Sequence, residues 1–297
     1  MSTVVLGANG LVGSRIAARL AEAGEEVHAI GRGAQRVKAR VQYIDLDLRR
    51  GLSRVGEVIG LTRPGAVINA AAMTDVDACE RSPDEAWTLN VGLVELAARA
   101  AAESGARFVT LSTDYVFDGE KGSYSEEDPP NPRGVYARTK RAGEEAALSL
   151  GKDVAVCRVA VVYSGRPAVK TTFAVTVADS LEAGKQVKAF TDQVVSPTLA
   201  DNAAEMVIGV QRSGAQGLFH CAGATEISRI DFCRAIARKL NADESLIVPV
   251  RLADLKLPAP RPLRCGLRVD KLKRLLGESV PLQLDAALDR FLEERRA

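Results

Sequence analysis

The stretch Thr3-Val4-Val5-Leu6-Gly7-Ala8-Asn9-Gly10-Leu11-Val12-Gly13 decides the fold. A short apolar strand runs into a turn with three glycines, and an amphipathic run over residues 11–23 starts before the turn is complete. Glycine permits positive φ and close backbone approach, and a helix start presents unpaired amides to an anion. Strand, Gly-x-x-Gly-x-x-Gly turn and helix, in that order, form the unit that lays a dinucleotide pyrophosphate against its first helix. Gly7, Asn9, Gly10, Leu11, Val12 and Gly13 are therefore the candidate phosphate cradle, with a plain tight turn as the competing reading.

Outward from this unit, apolar strands continue to alternate with helical stretches. Strands are expected at 3–6, 27–30, 41–44, 66–69, 107–111 and 154–158, and helices at 11–23, 52–61, 84–103 and 135–150. This alternation indicates βαβ units, hence an α/β fold with a doubly wound parallel sheet of the Rossmann type and ligands at the carboxyl ends of the strands. The second half is less regular. Helices fit 172–182, 199–211, 228–240, 269–276 and 284–294, a strand fits 187–190, and a loop is expected over 164–170. The prolines of Leu257-Pro258-Ala259-Pro260-Arg261-Pro262 require an extended loop. The expected organisation is a dinucleotide-binding domain over 1–163 and a smaller, mainly substrate-binding lobe over 164–297, with segments at about 190–225 returning to the first domain.

Composition narrows the function classes. The chain has 297 residues, 46% apolar and 26% charged, with a net charge of +2. That balance carries no electrostatic footprint for nucleic acid or an acidic membrane. Five cysteines without a C-x-x-C pair, and only His28 and His220, argue against a disulfide framework, a metal site and a serine–histidine hydrolase. No apolar run approaches the ~18 residues that cross a bilayer, and the chain enters its first strand without a leader, so a cytoplasmic enzyme is expected. Arg49-Arg50 and Arg295-Arg296 read as solvated surface.

The second strand ends Ala29-Ile30-Gly31-Arg32-Gly33, with no carboxylate to hold a ribose 2′-hydroxyl. Arg32 stands there instead, and its guanidinium suits a 2′-phosphate, which favours NADP(H) over NAD(H). Asp47, beside Leu48, is placed to meet the adenine amino group, with Asp45 as the competing choice. Asn69 is followed by Ala70, Ala71 and Ala72, small enough to let backbone meet the cofactor. Ser112-Thr113 closes the fifth strand, and Tyr136 and Lys140 are four apart on one helix face. A free phenol titrates at about 10, and a nearby ammonium favours its phenolate. Thr113, Tyr136 and Lys140 thus form a candidate proton-transfer set, with Ser112 as rival to Thr113. Asn90 either orders a water behind the lysine or bonds backbone. Trp87 is expected to pack.

These residues carry a resemblance. The segments from Asn69 to Glu80, from Ser112 to Gly119 and from Val135 to Lys140, together with Asp192-Gln193, Ser196-Pro197-Thr198, Gly217 to His220 and Arg261-Pro262, resemble the extended short-chain dehydrogenases/reductases, and within them the dTDP-4-dehydrorhamnose reductase family. The resemblance implies hydride transfer from NADPH to the C4 ketone of a nucleotide-linked 6-deoxy-4-ketohexose. Tyr136 would protonate the oxygen, Thr113 would hydrogen-bond it, and Lys140 would hold the nicotinamide ribose. It further implies a nucleotide-sugar substrate near Thr74, Asp75, Val76, Phe173, Ser196 and Arg261, and leaves a homodimer and the help of a divalent cation open; the residues themselves mark no metal site. The chain departs from the family at Val161, where a tryptophan is typical, and at Arg264-Cys265, where Asn-Ser is typical. Tyr115 beside Asp114 disfavours a dehydratase, and nothing marks the second acid/base of an epimerase. The chain is also similar to the regulatory subunit of methionine adenosyltransferase, which implies the alternative of a non-catalytic NADP-binding subunit.

Overall fold

A computed structural model describes residues 2–150, 153–166 and 171–296; the last four residues of the loop expected at 164–170 lie outside them. Six strands follow the predicted order: β1 (Ser2–Leu6), β2 (Glu26–Gly31), β3 (Gln42–Asp45), β4 (Ala66–Asn69), β5 (Arg107–Thr113) and β6 (Val154–Val159). They form a parallel sheet in the spatial order 3-2-1-4-5-6, and Gly217–His220 from the second half adds a seventh parallel strand beside β6. The order reverses between β1 and β4, which opens a crevice at their carboxyl ends. The fold is the expected α/β doubly wound sheet.

The helices on this sheet are α1 (Gly13–Glu22), α2 (Leu52–Thr62), α3 (Val76–Arg81), α4 (Pro83–Trp87), α5 (Leu93–Glu103) and α6 (Gly134–Leu150). Alternate strand residues face opposite sides. Val5, Ile68, Val109 and Ala155 pack with Ile16 and Leu20 of α1 and Val207 of the helix Ala200–Ser213. Val4, Leu6, Val67, Phe108 and Val154 pack with Val55 and Ile59 of α2 and Leu93 and Ala97 of α5. Burial on both faces explains the near-continuous apolar strands, and each fully buried Val, Leu or Ile contributes roughly 1.5–3 kcal/mol.

The helix expected over 84–103 is broken. Between α4 and α5 lies a π-helical stretch, Thr88–Gly92. It turns Asn90 inward, where Oδ1 accepts from the Met73 amide at 2.9 Å and Nδ2 donates to the Met73 carbonyl at 3.2 Å and to Thr139 Oγ1 at 3.0 Å. Of the two readings of Asn90, the backbone-bonding one is realised.

The second lobe has its own core. The helices Phe173–Glu182, Arg229–Leu240 and Leu284–Arg296 meet around Val177, Phe232, Ile236 and Phe291. Val187–Phe190 pairs in parallel with Ile247–Val250, a strand that the sequence reading did not anticipate. A smaller cluster, including Phe117, Tyr124, Ala160, Cys265 and Leu267, is held separately from the larger cores. The five cysteines are buried and free. Among the described residues no helix is long and apolar enough to cross a membrane.

Candidate active site

A cleft of about 700 Å³ opens at the switch point. Its floor is the glycine turn. Gly7 has φ +76°, and a Cβ there would lie 2.7 Å from the Ala71 amide nitrogen, while one on Gly13 would lie 2.3 Å from the Gly7 carbonyl oxygen. Gly7 thus lets β1 meet the segment after β4, and Gly13 lets α1 close on the turn. No side chain caps the start of α1 at Val12, which leaves that end suited to an anionic ligand. Gly7, Asn9, Gly10 and Leu11 line the cleft with Ala70, Ala71 and Ala72; Val12 and Gly13 lie behind it.

Asn9 does more than line the wall. Its Nδ2 donates to the Arg32 and Ala34 carbonyls at 2.9 Å, and its Oδ1 accepts from the Arg36 amide at 2.9 Å. It stitches the glycine turn to the loop that presents Arg32. The Arg32 side chain is 66% exposed, and Nη1 stands 3.8 Å from Asp47 Oδ2. Asp45 accepts from the Gly33 amide at 2.7 Å, so it shapes this loop instead of facing the cleft. Asp47 and buried Leu48 do face it.

Arg49, read from sequence as solvated surface, belongs to this wall as well. It chelates Asp47 through Nε at 2.9 Å and Nη2 at 2.6 Å, and its Nη1 reaches Glu85 at 3.0 Å. These bonds hold the Asp47 carboxyl well below the usual carboxylate range. Arg49 and Arg50 are both exposed, as read; what sets Arg49 apart is Glu85, which only the fold brings to it.

The next strand, β5, ends at the candidate reaction centre. Thr113 Oγ1 lies 2.9 Å from Asp114 Oδ1 and accepts from the Tyr115 amide at 3.2 Å. The Tyr136 phenol lies beside the same hydroxyl, and its ring meets Tyr115 edge-on at 5.8 Å. Ser112, the rival, sits beside Glu144 instead. Thr113 and Tyr136 are therefore together as expected. The expected tuning differs. Lys140 Nζ donates to the Leu111 carbonyl at 2.7 Å, and burial lowers its pKa to about 8. Burial pushes the Tyr136 phenol up, and Asp114 and Tyr115 push in the same direction. Desolvation of the phenolate is the largest influence on Tyr136.

Beneath this centre Arg158 Nε and Nη2 each reach a Glu144 carboxylate oxygen at 2.7 Å, and both side chains are essentially inaccessible. The pair ties β6 to α6, the helix that carries Tyr136 and Lys140.

Of the expected substrate contacts, Thr74 and Asp75 line the cleft, and Asp75 also caps α3 by accepting from the Ala78 amide at 3.0 Å. Val76 opens α3 without lining the cleft. Phe173 opens its helix with the Arg229 guanidinium 4.8 Å above its ring. Ser196 is fully buried, and its hydroxyl accepts from the Leu267 amide at 3.0 Å, away from the cleft wall. Arg261 is engaged by Asp77 at 2.8 and 3.1 Å, which pins the proline-rich loop to α3. Glu80 of the same helix accepts from the Val135 amide at 2.6 Å, at the start of α6. Trp87, expected to pack, is 54% exposed, because α4 turns it outward. Asp114 and Arg229, given no role from sequence, are the further titratable groups here: Asp114 acts on the Tyr136 phenol, and Arg229 acts on Asp114 and Tyr115. Burial is their signature, and no motif spacing announces it.

The chain matches the family described as RmlD substrate binding domain over residues 1–296. It is 35% identical over 295 residues to a probable low-salt glycan biosynthesis reductase of Haloferax volcanii, covering 97% of each chain. It is 35% identical to dTDP-4-dehydrorhamnose reductase of Mycobacterium tuberculosis, covering 87% of this chain and 82% of that one. Methionine adenosyltransferase 2 subunit beta of Xenopus tropicalis is 28% identical over 99% of this chain and 89% of its own. Among solved structures, a hypothetical dTDP-4-dehydrorhamnose reductase from Sulfolobus tokodaii superposes with a TM-score of 0.85 at 32% identity, covering 96% of this chain and 98% of that one.

Proposed function

The chain belongs to the RmlD substrate binding domain family and is an oxidoreductase acting on a ketone; from that premise we propose that it reduces the C4 ketone of a nucleotide-linked 6-deoxy-4-ketohexose at the expense of NADPH. The observation that carries the reading is the convergence of the Thr113 hydroxyl and the Tyr136 phenol at the end of β5, one strand from a cleft floored by the glycine turn. The chemistry of the donor set fits a nicotinamide dinucleotide. The uncapped start of α1 suits the pyrophosphate, Arg32 suits a 2′-phosphate, and the three alanines after Asn69 leave backbone accessible. When bound, the cofactor supplies the hydride.

This chain's own residues do the rest. Tyr136 holds the proton that the nascent alkoxide takes. Its raised pKa keeps that proton in place until the oxygen becomes basic. Thr113 hydrogen-bonds the same oxygen. Lys140, still cationic at neutral pH with a pKa of about 8, serves ribose hydroxyls as a donor. Thr74 and Asp75 line the cleft, which supports their meeting the sugar. In the assay, purified chain is mixed with NADPH and a dTDP-4-keto-6-deoxyhexose; reduced-nicotinamide absorbance falls with formation of the 4-hydroxy sugar. Stable absorbance with every such sugar tried defeats the proposal.

A second reading draws on the likeness to the adenosyltransferase subunit and on the departures at Val161 and Arg264-Cys265. In it the chain binds NADP and a partner enzyme without turnover. Cofactor binding with no absorbance loss, and co-purification of a synthetase, would select it.

A further inference from the structure

Asp114 is the buried acid that the proposed mechanism leaves unused. It is 2% exposed, and its Oδ2 has no hydrogen-bond partner. Its Oδ1 lies 2.9 Å from the Thr113 hydroxyl oxygen. That hydroxyl owns one proton and two lone pairs. The Tyr115 amide occupies one lone pair at 3.2 Å. The remaining lone pair and the proton must serve Asp114, Tyr136 and the reacting oxygen.

Two arrangements compete, because a carboxyl proton placed on Oδ2 would be buried without a partner. An ionised carboxylate is acceptor-only, so it takes the Thr113 proton. Thr113 then has just a lone pair to show, and that lone pair draws the Tyr136 proton away from the substrate. A neutral carboxyl donates to Thr113 instead and fills its second lone pair. Thr113 must then point its proton outward, and the Tyr136 proton is released toward the ketone.

We propose that Asp114 is a positioning acid: carrying a proton, it donates to Thr113 and so aims both the Thr113 and the Tyr136 hydroxyl protons at the substrate oxygen. This inference rests on the ketone-reductase reading. The Asp114 proton is not consumed; the proton transferred comes from Tyr136. The surroundings favour the neutral form. Arg229 is the cation nearest in influence, but its guanidinium reaches Gln193 Oε1 at 3.2 Å and lies over Phe173. The other titratable groups facing Asp114 are Tyr115, Tyr136 and Cys265, all neutral near pH 7. Burial outweighs Arg229 and the local hydrogen bonds and brings the Asp114 carboxyl up to about 7.

Two measurements on wild type and Asp114→Asn test this. The first needs no substrate. A neutral Asp114 binds a proton that the unfolded chain releases above about pH 4, so folding stability is lost as pH rises from about 4 to 7. Relative to Asp114→Asn, wild type becomes easier to denature across that window; parallel curves overturn the proposal. The second is the rate of ketone reduction. Wild type falls about tenfold between pH 6 and 8, as the neutral fraction of a group titrating near 7 does. Asp114→Asn, whose amide donates at every pH, stays within about threefold, and Thr113→Val, which has no proton to aim, is slow and equally flat. A pH limb that survives in Asp114→Asn overturns the inference while leaving the reductase reading intact. Absence of reduction in wild type overturns the reading and the role built on it.

Discussion

Two aspartates live by opposite rules, Asp47 on the open wall of the cleft and Asp114 at the buried end of β5. At the open end Asp47 is chelated by Arg49 with Arg32 nearby, and the guanidinium groups keep it ionised well below the usual range. At the closed end Asp114 has a threonine for company and burial raises it to about 7. Identical carboxyl groups thus become a fixed charge and a held proton. The open end keeps its guanidinium groups within reach of water. The closed end is built to keep protons where they are needed, because a dry site strengthens every hydrogen bond and penalises every unpaired charge.

The contrast can be attacked from either side. The largest effect belongs to the closed end. Tyr136→Phe removes the transferable proton and lowers the reduction rate by about 10²–10⁴-fold, while NADPH affinity, followed by nicotinamide fluorescence, stays the same. An unchanged rate would take Tyr136 out of the mechanism. Next comes the ion pair that anchors this end. Arg158→Met leaves buried Glu144 to Arg141, 3.1 Å away, and costs about 3 kcal/mol in urea unfolding; a loss below about 1 kcal/mol would show that Arg141 alone compensates the charge. At the open end, Arg32→Ala weakens NADPH binding about tenfold to a hundredfold, as expected for one charge-assisted contact, with little change for NADH. Equal losses for both cofactors return Arg32 to the surface. The smallest effect is on acid stability. With its carboxyl depressed, Asp47 contributes stability above its unfolded value of about 3.9, and this is lost as pH falls through the lower folded value. Asp47→Asn therefore flattens the acid limb of a stability–pH curve slightly. An identical limb would mean that the Arg49 chelate is not held in solution.

The cradle and the sheet were legible because their signals are local. Short apolar runs, three glycines at fixed offsets and a four-residue spacing on a helix each need only a few neighbours in sequence. What stayed hidden depends on partners far along the chain. Arg49 becomes a wall of the cleft only when Glu85 arrives. The Lys140 ammonium is engaged by the Leu111 carbonyl. Ser196 is spent on Leu267, and Arg261 on Asp77. Val161, conspicuous in sequence as a replaced tryptophan, holds φ +40°, a strained value for a β-branched residue that no composition rule forecasts. The break in the helix at Thr88–Gly92 belongs to the same class, since it answers to the Met73 backbone.

The six-residue helix Val76–Arg81 joins what seem to be separate parts. Asp77 grips the proline-rich loop and Glu80, three residues on, grips the first turn beneath the reacting tyrosine. Loop and phenol therefore share one fulcrum. Whatever pries the loop from its carboxylate also leans on the tyrosine's footing.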